Sequence, residues 1–161
     1  KKKKMNNMRS IKILIALLMA GSLSLSAQEK ESMYFTARVE GTIETVEPML
    51  RSELEKEKFA VITEIDMAKT LKEKIDADIM PYKILGVCNA KFAYKAMQAE
   101  ENIGVFLPCK MILKQVDKDT VEVVSVNPVT MMKMIGNEDL DGTADEVGIK
   151  LEMVINRLAD R

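Results

Sequence analysis

Hydrophobic and polar positions alternate from Tyr34 to Glu40. Phe35, Ala37 and Val39 fall on one side and Thr36, Arg38 and Glu40 on the other, the period of a half-buried strand. Gly41 closes the run. The period then lengthens: Val46, Leu50 and Leu54 share one face, which predicts a helix to about Lys58 with Thr45 as N-cap and Pro48 tolerated in its first turn. Residues 59–65 and Tyr82–Cys88 read as further strands, separated by a short helical turn over 70–75 and a polar stretch that ends at Pro81. Asn89 is a good cap for a helix through Phe92, Ala93, Ala96 and Met97 to about Ala99.

Beyond Gly104, residues 105–116 and 120–126 predict a hairpin turning at Asp117, Lys118 and Asp119. Asn127 followed by Pro128 is a cap and first helical position, and Gly136 a stop, so 129–135 reads as a short helix. A last helix over 143–159 sets Val147, Leu151, Val154, Ile155 and Leu158 on one stripe. The order is that of one α+β domain, and no internal repeat, low-complexity tract or linker divides it.

The first 27 residues carry a different pattern. Six basic residues, Lys1 to Lys4, Arg9 and Lys12, precede the apolar run 13–20, and small residues follow up to Ala27. This is the pattern of a secretory signal peptide, cut after Ala27; the run is far short of the roughly 20 apolar residues that span a bilayer. The division expected is therefore a signal peptide over 1–27, a short linker over 28–32 and a single domain over 33–161. The protein is expected to be exported, periplasmic or secreted, with no stable membrane anchor after cleavage.

Composition changes the picture in two ways. The whole chain of 161 residues balances 24 basic against 25 acidic side chains, but the segment 1–27 holds six of the basic ones and no acidic ones, so the remainder has 18 against 25 and a net charge of −7. Such an acidic domain has no basic stripe for a phosphate backbone, and nucleic acid is excluded as a partner. The chain also has no His. Ser/His/Asp and Cys/His catalysis and imidazole zinc sites are thereby excluded, and neither a phosphate-binding Gly-rich loop nor a G-x-S-x-G elbow occurs.

What chemistry remains centres on two thiols. Cys88 ends a strand just before the cap at Asn89, where open amides and the positive end of a helix dipole favour a thiolate. Cys109 follows Pro108 and shares a side with Leu107, Met111 and Leu113 if alternation holds. Three readings stay open: inert buried cysteines or a stapling disulfide, a redox-active pair, and a soft-metal site helped by Met111 or by Met131, Met132 and Met134. Asn137, Asp139, Asp141 and Gly142 match the first half of a calcium loop, but Gly148 stands where a bidentate Glu is required, so an acidic loop capping the last helix is the better reading. The pairs Asp76/Asp78 and Glu100/Glu101 read as solvated loop charges.

The segments from Glu64 to Lys74, Pro81 to Asn89, Gly104 to Cys109 and Val126 to Pro128 together resemble the family called domain of unknown function 302. The Gly-x-Cys-Asn at Gly86 to Asn89 and the Leu-Pro-Cys at Leu107 to Cys109 carry most of the likeness, which covers about Met33 to Leu158. Ala90 departs from the family pattern, where Pro is expected; that would loosen the start of the following helix and weaken a site built on it. The resemblance implies a two-layer α+β fold, an antiparallel sheet against helices in a β-α-β(4)-α arrangement like TATA-box-binding-protein domains, and a homodimer. It implies no reaction and no known cofactor, but makes it more credible that the two cysteines act together. The expectation is a non-enzymatic, exported ligand-binding or interaction domain with a site at Cys88, Asn89 and Cys109, open to a small molecule or a soft metal at Cys88, Cys109 and Met111. The alternative is a thiol redox protein in which Cys88 attacks and Cys109 resolves.

Overall fold

A computed structural model describes residues 32–160, so the expected signal over 1–27 lies outside the described residues. The first strand, β1 (Tyr34–Glu40), lies where alternation predicts it. Helix α1 (Ile43–Lys56) starts earlier than expected: Thr42 is the N-cap, and Thr45 is its third helical residue. The Thr45 hydroxyl accepts the Thr42 N–H at 3.0 Å and donates to the Thr42 carbonyl at 2.9 Å, which closes the turn one step upstream. Strand β2 (Ala60–Asp66) follows, and then α2 (Met67–Ile75), which starts three residues before the predicted Thr70 because the Asp66 carboxylate accepts the Lys69 N–H at 2.9 Å.

Strand β3 (Tyr82–Cys88) leads into α3 (Ala90–Ala99). The extended run predicted from Val105 is corrected: Glu101–Phe106 is a 3-10 helix, and β4 (Cys109–Asp117) begins only after Pro108, which has no N–H to give a sheet ladder. Next come β5 (Thr120–Val126), α4 (Pro128–Lys133), a 3-10 turn at Glu138–Leu140 and α5 (Asp141–Ala159), the last beginning two residues before the predicted start.

The five strands form one sheet in the order β1-β5-β4-β3-β2, with every neighbouring pair antiparallel. Leu85 on β3, Met111 and Leu113 on β4, and Val121 and Val123 on β5 are wholly buried on one face. Val46, Leu50 and Leu54 of α1 and Leu151, Val154 and Leu158 of α5 complete that core, which makes the expected two layers. On the opposite face, register aligns Ile65, Ile84, Ile112 and Val124 in a row across four strands; Ile65 is exposed and the other three half-buried.

Two buried polar groups fix how the layers meet. Gln115 of β4 accepts the Ile43 N–H at 3.2 Å and donates to the carbonyls of Gly41 and Thr120 at 2.9 and 3.2 Å, so it serves an open amide of α1 from across the sheet. Glu57, at the C-cap of α1, receives Lys150 and Arg157 of α5, each at 2.8 Å.

Gly86 supplies the contact that joins the two cysteine motifs. A Cβ placed there would meet Pro108 Cγ at 2.5 Å and would run into the Thr63 hydroxyl as well. Only a residue without a side chain lets the Pro108 ring lie on β3. Gly86→Ala is expected to destabilise the protein by about 1–3 kcal/mol through overpacking, as read from the shift in urea midpoint at unchanged m-value; an unchanged midpoint would mean that Pro108 moves aside freely.

Candidate functional site

Three asparagines frame one end of the sheet, and each makes the same pair of bonds. Asn89 starts α3: its Oδ1 accepts the Lys91 N–H at 3.1 Å, and its Nδ2 reaches the Glu57 carbonyl at 3.5 Å. Asn127 starts α4 by accepting from Val129 N–H at 3.0 Å and donates to the Ser32 carbonyl at 2.9 Å. Asn137 starts the second 3-10 turn by accepting from Asp139 N–H at 3.1 Å and donates to the Ala99 carbonyl at 3.0 Å. In each case the oxygen caps a helix while the amide nitrogen ties that helix start to a distant segment. Ala90 in place of the expected Pro leaves the start of α3 in register, with the Asn89 cap made.

These helices line a partly open cavity of about 40 Å³ between the main core and a smaller cluster of Ala96, Ile103, Met132, Leu140 and Ala144. Its wall includes Cys88, Asn89, Phe92, Leu107, Cys109 and Met132. Cys109 lies opposite Val87 in the β3–β4 ladder, the residue before Cys88; both cysteines border the cavity, and both are free thiols. No charged side chain lines the space.

The electrostatics reverse one expectation. Burial pushes the Cys88 thiol up from its ordinary value, opposite to the lowering expected from the start of α3. Cys109 is pushed up to about 11, first by burial and then by its neighbour Cys88, with Lys110 pulling weakly the other way. An attacking Cys88 thiolate is not what this setting favours.

Other candidates fall away. Met111 is wholly buried in the main core, opposite Leu85 and Ser125, and does not line the cavity. Met132, the second residue of the cluster Met131, Met132 and Met134, does, while Met134 is exposed. Of the calcium-like residues, Asn137 caps the second 3-10 turn, and the cap expected on the last helix is corrected: α5 starts at Asp141 with no side-chain cap. Asp76 and Asp78 are exposed partners of Lys72, and Glu100 caps the first 3-10 helix through the Asn102 N–H at 3.2 Å. Among the described residues, no three His, Cys, Asp or Glu side chains are grouped to hold a metal ion. The reading from sequence named Met132 only as one of three clustered methionines, because its place on the cavity wall depends on how α4 packs.

The model of the family described as domain of unknown function DUF302 matches residues 35–158. Among solved structures, the crystal structure of an uncharacterized conserved DUF302 protein from Bacillus stearothermophilus is similar, with a TM-score of 0.72 and 25% identity, covering 78% of this chain and 98% of that one. No curated protein matches the chain.

The raised thiols give a definite pH response. A thiol that titrates higher in the folded state than in the unfolded one adds stability below about pH 9 and loses it as pH rises from there toward 11. Alkylation of the native protein should accordingly be slow at pH 7 and accelerate by about tenfold per pH unit as thiolate forms. A rate already level by pH 7 would show an activated cysteine instead.

Proposed function

The chain belongs to the DUF302 family, and from that premise we propose that it is an exported, homodimeric, non-enzymatic binding domain whose site is the cavity at Cys88, Asn89 and Cys109, taking a small thiol-seeking ligand. The observation that carries this reading is that both thiols border one apolar space. Size limits what reaches the thiols: an apolar cavity that binds benzene is about 150 Å³, and 40 Å³ is far below that. The space is partly open to solvent, so this volume limits the group that reaches the thiols and not the whole ligand. Neutral thiols and an uncharged wall suit reversible binding better than attack on a substrate.

Export rests on the basic and then apolar start of the chain. A homodimer is supported by the row of Ile65, Ile84, Ile112 and Val124 on the sheet face away from α1 and α5, which a second copy would cover.

Reagent size tests the site. In the native reduced protein at pH 9, methyl methanethiosulfonate, small and uncharged, is expected to modify both cysteines, whereas a bulky maleimide modifies Cys109 at least about tenfold more slowly. Mass after denaturation counts the labels. If neither reagent reaches Cys109 until the protein unfolds, the cysteines are sealed core residues and the site is wrong. Cys88→Ser with Cys109→Ser should leave the oligomer mass unchanged, because the site and the dimer face are separate.

A further inference from the structure

Resting on the cavity reading above, we propose that Cys88, Cys109 and Met132 form a three-sulfur site for a soft monovalent cation of the copper(I) or silver(I) kind. The three residues come from three elements, the end of β3, the start of β4 and α4, and all line the same space. Thiolate and thioether donors select such cations, while carboxylates and imidazoles, which would draw zinc, calcium or magnesium, do not line this wall. The volume of about 40 Å³ accommodates a bare ion among these residues.

Neighbouring groups fit the charge that binding creates. When the cation enters, two sulfur–metal bonds form at the cysteines and their two protons leave to solvent, while the Met132 thioether donates without losing a proton. No electron is transferred. The product carries one net negative charge at the cavity wall, at the residue that precedes Asn89, the N-cap of α3. Asn89 and Asn127 hold α3 and α4 in place, so the donor set is presented by a frame already bonded before the ion arrives.

The test is competition for copper(I), kept reduced with ascorbate under nitrogen, between the fully reduced protein and a chromophoric copper(I) chelator. One equivalent is expected to transfer to the wild type, with release of about two protons in weakly buffered solution. Cys88→Ser and Cys109→Ser should each weaken binding by more than about 100-fold and Met132→Leu by about tenfold. X-ray absorption on the wild-type complex should count three sulfur neighbours, a reading independent of whether any variant folds. No transfer, a count of two sulfurs, or a folded Met132→Leu protein with wild-type affinity overturns the three-sulfur site. If copper fails to bind while size-selective thiol labelling persists, the cavity reading stands and this cation is wrong; if labelling also fails, both fall.

Discussion

The burial of a single sheet face is the constraint on which the rest of this molecule depends. Side chains alternate along the paired stretches of β3, β4 and β5, so those of Leu85, Met111, Leu113, Val121 and Val123 all reach one side, and α1 and α5 must cover it. A slip of one residue of β3 along β4 would turn the side chain of Leu85 away from the face that Met111 and Leu113 occupy. It would also part Cys109 from Val87, and with it the neighbouring Cys88 from the wall they share. Register and site are thus set by the same hydrophobic pattern.

The two cysteine motifs gain a physical meaning from that register. Gly86 and Pro108 touch across the β3–β4 pair, so each motif contains half of a contact that fits only in the presence of the other. Asn89 then turns the chain from the end of β3 into α3, and its amide reaches back to the end of α1. The residues nearest the thiols therefore serve first to hold geometry. The cavity between the two apolar clusters is what remains where three Asn-capped segments meet without filling the space between them.

Much of this was legible in the sequence, for local reasons. Period-two runs located β1, β3 and β5, and the caps at Asn89 and Asn127 located α3 and α4, because those signals lie within a few residues of the structure they cause. Thr45 misled because a threonine at the third position of a capping box looks the same in sequence as a threonine at the cap. Val105 misled because an apolar run of that length fits a strand or a tight helical turn equally well, and only Pro108 marks where pairing can begin. The cysteines could be named as a pair, but their raised thiols could not, since burial comes from α4 and α5, far along the chain. Met132 was one methionine among three in its cluster until α4 turned it inward.

Helix α2 is built differently from the others: none of its nine residues is buried, and it is held by the Asp66 cap and by surface ion pairs such as those of Lys72 with Asp76 and Asp78. Surface pairs of this kind contribute about 0–1 kcal/mol each, so α2 can unwind without opening the core. Its amides are therefore the ones that exchange with deuterium by local opening long before global unfolding, and Lys69, Lys72 and Lys74 set trypsin sites within that segment. The connection between β2 and β3 is thus the place where this domain can be nicked while the five strands stay paired.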